Sequence, residues 1–374
     1  MVDELFKTSR MNLQYKKKYS RILYLIVFSL LQQFVIAQQV VPYKDDFFVL
    51  KNFKFSDGSS LDSIKLHYYF VGKPHLDKQG KVDNAILIMH GTGGSGENFL
   101  TENFAGQLFK AGQVLDANKY FIILTDAIGH GKSSKPSDGL KMKFPAYTYD
   151  DMVDANYLLL TKHLNVSHAR LVMGTSMGGM QTWVWGYRYP DFMDALMPLA
   201  SLPIEIAGRN RMIRKMMIDA IKDDPNWENG NYKEEPVLGL KHALNLLMMM
   251  SSVPLYWQKE APTKEAAELF LQNWLAKAQK AKDANDMIYQ FDASRKYDPS
   301  PYLQKIKAPL LAINSADDQV NPPELKVLDT AINKVQKGKF ILLPITSETR
   351  GHGTHSLPKI WGNYLKEFLE QTNK

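Results

Sequence analysis

Ser176 lies in the run Gly174-Thr175-Ser176-Met177-Gly178, with Gly179-Met180-Gln181-Thr182-Trp183 directly behind it. The apolar stretch before it reads as a strand over 170–173 and the stretch after it as a helix, so the serine falls on a strand-to-helix turn. Such a turn lifts a hydroxyl out of the backbone, and side chains at 174 and 178 would collide with neighbouring main chain. The chemistry this suits is nucleophilic attack by the serine oxygen on an acyl carbon.

An attacking serine needs amide donors for the oxyanion and a base oriented by a carboxylate. Met177, the residue after the serine, supplies one donor, and Thr92 in His90-Gly91-Thr92-Gly93-Gly94-Ser95-Gly96 supplies the second. His90 holds this loop. The acid and base are expected later in the chain, in the order Ser, Asp, His. Two neighbouring carboxylates stand in Asn314-Ser315-Ala316-Asp317-Asp318-Gln319-Val320-Asn321-Pro322, and two histidines in Arg350-Gly351-His352-Gly353-Thr354-His355. Asp318, with Val320 two positions on and Pro322 four positions on, is taken as the acid, with Asp317 as the alternative. His352, directly after Gly351, is taken as the base, with His355 as the alternative. Both loops follow strand ends, where open parallel sheets place ligands.

Other chemistries fit the same residues less well. Gly91, Gly93 and Gly96 match G-x-G-x-x-G, but a dinucleotide site expects an acidic residue about 20 positions on, and the next strand reaches Asp126 only. Glu97-Asn98 stands where a P-loop needs Lys and Ser or Thr. His352 and His355 lack a third clustered metal ligand. No cofactor or metal is expected.

The elements that must position these residues are legible as short apolar runs with helix-length spacers, the mark of a parallel sheet covered on both faces. The expected strands are 47–53, 64–70, 85–89, 120–124, 170–173, 195–199, 309–313 and 340–343, the first two antiparallel. Helices are expected over 147–164, 324–335 and 358–370, the last with Ile360, Leu365, Phe368 and Leu369 on one face. From Ser201 to about Ala308 the strand signal vanishes and helices take over, clearest at 212–221, 238–250 and 264–282. The fold expected is α/β: a mostly parallel eight-stranded sheet with helices on both faces and a helical lid insertion. The division is a leader at 1–37, the core at 38–200 and 309–374, and the lid at 201–308. Met212, Met216, Met217, Met248, Met249 and Met250 could line an acyl pocket or fill gaps between lid helices.

The chain has 374 residues, 45% hydrophobic and 23% charged, within the globular range, and no cysteine. A thiol nucleophile, disulfides and Cys-ligated metal are thereby excluded. The net charge of +7 is not a nucleic-acid footprint, because residues 1–37 hold six Lys and Arg against two acidic residues and no basic run follows. Lys16-Lys17-Lys18 and Arg21 precede the apolar run 22–31, and Val35-Ile36-Ala37 puts small residues before Gln38. This is the layout of a secretory signal peptide cleaved near Ala37, too short for the roughly 20 apolar residues of a membrane span. An exported protein with no stable span after cleavage is expected.

These residues resemble the α/β-hydrolase superfamily, and within it the homoserine O-acetyltransferase family. Beyond Gly174 to Gln181, the likeness rests on Tyr189-Pro190, Ala200-Ser201, the run Asp224-Pro225-Asn226-Trp227-Glu228-Asn229-Gly230-Asn231-Tyr232, Gly239-Leu240 and Asp292-Ala293-Ser294-Arg295-Lys296-Tyr297-Asp298. The resemblance implies Ser176 as nucleophile, Asp318 as acid and His352 as base, with acetyl passed from acetyl-CoA to homoserine through a Ser ester. The sequence departs from the family at His90-Gly91-Thr92, which reads like an esterase. It departs again in the first lid helix, where Ile218 stands at the place of a carboxylate-binding Arg; Arg209, Arg211 and Arg214 are near but out of register. The expected function is ester hydrolysis through an acyl-enzyme, with acetyl transfer to a small hydroxy amino acid as the alternative. The substrate expected is a small-molecule acyl ester or thioester, of either short or long acyl chain, and two copies could pair as a homodimer.

Overall fold

Strands that pair on both edges and are covered on both faces bury nearly every side chain, as the central strands here do. In the computed structural model, which describes residues 40–251 and 253–372, β3 (Ala85–Met89), β4 (Phe121–Thr125) and β7 (Leu310–Ser315) are buried at every position, and β5 (Ala169–Thr175) at all but one. Ile86, Leu87 and Ile88 are each 0% exposed, and burial of each such side chain contributes roughly 1.5–3 kcal/mol. The segment 1–37, read as a signal peptide, lies outside the described residues.

With β1 (Tyr43–Lys54), β2 (Ser60–Val71), β6 (Leu196–Leu199) and β8 (Gly338–Leu343), the eight strands form one sheet in the order β1-β2-β4-β3-β5-β6-β7-β8. β1 pairs antiparallel with β2 and β2 with β4, and every later pairing is parallel. Parallel strands all end on one edge, so the loops after β3, β5, β7 and β8, which carry Thr92, Ser176, Asp318 and His352, converge there.

Helix α1 (Tyr149–Leu158) starts at a capping box, with Thr148 accepting from the Asp151 amide and Asp151 from the Thr148 amide. The expected helix over 147–164 thus loosens after Leu158 into a π-turn at Leu159–His163. α2 (Met177–Arg188) is buried from Met177 through Gly186. The helix expected over 324–335 is broken into three short turns, because Lys326 takes φ +50° between Pro323–Leu325 and Val327–Ala331.

Between β6 and β7 lie α3 (Gly208–Lys222), α4 (Val237–Ser251), α5 (Pro254–Glu260), α6 (Lys264–Lys280) and α7 (Ala284–Asp292). They have a core of their own, with Met217, Ile221, Trp227, Leu240, Leu244 and Phe291 in one cluster. Asp224 ties two of them, its carboxylate accepting from the Asn226 and Gly239 amides at 2.9 and 2.8 Å. Gly239 is required there, since a Cβ would stand 2.5 Å from the Ala220 carbonyl of α3. Trp227 Nε1 donates to Asn285 on α7 at 2.9 Å. α7 in turn is pinned to the sheet side: Gln290 donates to the Gly129 carbonyl, Tyr289 to the Phe144 carbonyl, and Lys282 just before it to the Gly93 carbonyl.

The six methionines do not share a face. Met212, Met216 and Met249 are 62%, 52% and 66% exposed, Met217 is buried in the insertion core, and Met250 lines a cavity described below. The last helix, α8 (Pro358–Gln371), buries Trp361, Leu365, Phe368 and Leu369, whereas Ile360 is only half-buried. Trp361, one position on from Ile360, leads that face because it packs against Phe104. From Val41 onward the chain forms one compact unit. No helix among the described residues is long and apolar enough to cross a membrane.

Candidate active site

Ser176 occupies φ +55°, ψ −113°, a strained conformation for a residue with a Cβ, between the end of β5 and the first turn of α2. The flanking glycines are demanded by space: a Cβ at Gly174 would stand 2.2 Å from the Gly178 carbonyl, and one at Gly178 would stand 2.0 Å from that of Met89. The turn aims Ser176 Oγ at His352, whose Nε2 lies 2.8 Å away. His352 Nδ1 is 2.9 Å from Asp318 Oδ2. A carboxylate only accepts, so Nδ1 carries the proton and Nε2 is left as an acceptor for the serine hydroxyl.

Asp318 is 0% exposed. Burial alone would raise its carboxyl, but His352 and hydrogen bonds from Asn321 and the Val320 amide outweigh burial and hold it below the usual carboxylate range. Oδ1 accepts from the Val320 and Asn321 amides, and Oδ2 from Asn321 Nδ2. Asn321 also reaches the Ala200 carbonyl at 2.9 Å, so it braces the carboxylate against β6. Sequence reasoning assigned it no role, although an Asp and Asn three apart in a loop are a familiar turn pair.

The alternatives are placed elsewhere. Asp317 accepts from Ser315 Oγ at 2.5 Å rather than from a histidine. His355 lies edge-on to His352, with ring centroids 5.3 Å apart, and its Nδ1 is buried without a partner. Burial and the neighbouring His352 push its pKa down to about 3, so it stays uncharged.

The loop after β3 passes beside the serine: a Cβ at Gly91 would be 3.3 Å from that of Ser176. The Gly91 carbonyl is held by His90 Nδ1 at 2.8 Å and the Gly94 amide at 3.0 Å. That peptide carries the Thr92 N–H on its other side, so the two bonds fix the donor's direction. His90 Nε2 accepts from the Ala127 amide at 3.1 Å, which settles the tautomer. Met177 N–H is the first of α2, and first-turn amides have no partner within the helix. Two donors are therefore available on either side of Ser176, one at a helix N-terminus that favours negative charge.

A cavity of about 530 Å³ opens on these groups, with Thr92, Ser176, Arg214, Met250, Trp274 and His352 among its walls. Arg214 is 3% exposed. It donates to Asn210 at 2.8 Å and stacks on Phe291, 5.5 Å from the ring centre. No carboxylate among the described residues pairs with it. A buried guanidinium without a counter-ion is costly, and a wall position makes a ligand anion its natural complement. Ile218, one turn further along α3, packs in the insertion core. Positions four apart share a helix face, so an Arg out of register by one turn still faces the cavity.

The loop Asp126 to Ser134 does not border this cavity. Asp126 accepts from His67 and from the Gly96 and Lys132 amides, and His130 lies fully buried against His90, ring centres 5.0 Å apart. Burial holds both His90 and His130 below their usual pKa. A group that is neutral when folded and protonates when unfolded costs stability as pH falls below the unfolded value of about 6.5. Each of these two histidines should therefore pull the thermal midpoint down between about pH 6.5 and about 4.5, against the opposite pull of Glu235 and Asp286, whose carboxyls burial raises to about 7 and about 6. Calorimetry should show the midpoint of His130→Leu gaining on that of wild type as pH falls through that window, whatever its stability at neutral pH.

Fold and site together define an enzyme of the α/β-hydrolase type. The chain belongs to the α/β-hydrolase fold family, whose model matches residues 84–341. A probable acyltransferase of Methanothermobacter thermautotrophicus is 31% identical over 298 residues, 79% of this chain and 89% of that one. The homoserine O-acetyltransferase of Carboxydothermus hydrogenoformans is 30% identical over 323 residues, 76% of this chain and 84% of its own. Among solved structures, an acetylester hydrolase from Corynebacterium glutamicum superposes with a TM-score of 0.76 over 88% of this chain and 96% of its own, at 22% identity.

Proposed function

We propose that this protein is a serine hydrolase that cleaves an ester or related acyl bond through an acyl-enzyme at Ser176. The observation that carries the reading is the continuous relay from Ser176 Oγ through His352 to Asp318, at 2.8 and 2.9 Å. His352 Nε2 takes the hydroxyl proton as Oγ bonds to the acyl carbon, and the carbonyl electrons move onto oxygen, facing the Thr92 and Met177 amides. The tetrahedral centre collapses, the ester C–O bond breaks, and His352 gives the proton to the departing alkoxide. Water repeats the sequence and releases the acid. Asp318 keeps the imidazole oriented and balances its positive charge. The signal-peptide layout of residues 1–37 supports work outside the cytoplasm; a small-molecule acyl ester or thioester as substrate and a homodimer as assembly are part of the same proposal.

Arg214 favours a second reading, transfer of the acyl group to a small hydroxy amino acid whose carboxylate pairs with the guanidinium. The two readings share the acyl-enzyme and differ in what resolves it. Supplying p-nitrophenyl acetate with and without L-homoserine, and separating acetate from O-acetylhomoserine by mass spectrometry, decides between them. Hydrolysis yields acetate alone, with nitrophenol release unchanged by the amino acid. Transfer yields O-acetylhomoserine, and Arg214→Met should then cut its share of product at least about tenfold, the worth of a charge-assisted pair.

A further inference from the structure

A second cavity of about 280 Å³ lies on the far side of Met250 and Val320, which line it and the Ser176 cavity alike. Its walls come from the segment entering the insertion and from the loop carrying Asp318: Leu202, Ile204, Ile206 and Ile213 face Val327 and Val320. At the edge, the exposed Arg209 donates to the Gln319 carbonyl at 2.7 Å, joining the two wall segments. The chemistry proposed for Ser176 makes no use of this space.

We propose that this cavity holds an unbranched hydrocarbon chain of the substrate, reached from Ser176 between Met250 and Val320. The inference rests on the acyl-enzyme reading and names its substrate class. Glu205, Arg209, Asn210, Gln319 and Asn321 also line the cavity, but apolar side chains, chiefly Leu, Ile, Val and Met, make up most of its wall; that surface penalises a polar group, whereas an apolar chain gains with each methylene removed from water. Met250 has three rotatable bonds and a soft thioether, the side chain best suited to move aside. Val320 is tied to the chemistry, because its amide donates to Asp318 at 2.8 Å. At roughly 30 Å³ per methylene, taken as close to a water's share of liquid volume, the space takes a chain of about nine carbons.

The test is kcat/KM for p-nitrophenyl esters from acetate to dodecanoate, beside alkyl acetates from ethyl to decyl, on wild type and Ser176→Ala. The expected result is a rise of about threefold per methylene to a maximum near nine carbons, then a fall. A rise confined to the p-nitrophenyl series puts the chain on the acyl side; one confined to the alkyl acetates puts it on the alcohol side. Ile206→Trp, or Ile213→Trp further along the same wall, should lower the decanoate-to-acetate ratio at least about tenfold. A profile flat or falling from acetate in both series, with Ser176→Ala inert, overturns the chain site and leaves the acyl-enzyme intact. Turnover that survives in Ser176→Ala overturns both.

Discussion

Ser176→Ala should lower ester turnover at least about 10³-fold, judged by what loss of the nucleophile costs where a base, an acid and oxyanion donors remain. The substitution removes one oxygen from a side chain whose backbone is set by its neighbours. Gly174 and Gly178 still close the turn, the Ser176 amide still donates to the Leu199 carbonyl at 2.9 Å, and alanine meets the same φ +55° that serine does. Ala200 already takes φ +49° directly after β6. The fold should therefore survive, with a thermal midpoint close to wild type. Steady-state nitrophenol release measures the loss, and intact-mass spectra after a serine-directed phosphonate report it independently: one adduct on wild type, none on the variant. Unchanged release from the variant would sink the acyl-enzyme mechanism.

Asp318→Asn carries the second large effect, a loss of about 10⁴ in kcat, the size seen where a triad aspartate is made neutral without moving. Asp318 Oδ1 accepts two backbone amides, from Val320 and Asn321. An asparagine keeps its carbonyl oxygen there, which leaves its NH₂ at the position of Oδ2, facing His352. That group donates to Nδ1, so the imidazole proton moves to Nε2, and Nε2 can no longer accept from Ser176. The same amide also faces Asn321 Nδ2, donor against donor, which should lower stability as well. Asp317→Asn is the control, since Asp317 bonds Ser315 rather than His352, and its kcat should stay within about threefold. Rates measured side by side separate the neighbours, and a larger loss at 317 than at 318 would reverse the assignment.

Much of this architecture was legible without coordinates. A strand paired on both edges and covered on both faces has no polar side, so β3, β4, β5 and β7 stand out as apolar runs whatever packs against them. The glycines around Ser176 are equally local: their reason is the backbone within a few residues or on the next strand. Boundaries set by distant partners were harder to read. The helix expected over 324–335 breaks at Lys326, and α5 and α7 were missed because short lid helices take their stability from packing rather than from periodicity.

The sequence by itself determined the parallel core, the turn that raises Ser176, and the chain order in which a carboxylate and an imidazole follow. Only the tertiary structure decided which of Asp317 and Asp318 faces His352, that Arg214 occupies the cavity where Ile218 had seemed to leave it without a cation, and that an apolar chamber adjoins it. Adjacent residues in a loop have the same composition and the same neighbours along the chain. They differ in direction, and direction is imposed by contacts from elsewhere, here Ser315 on one carboxylate and Asn321 and His352 on the other.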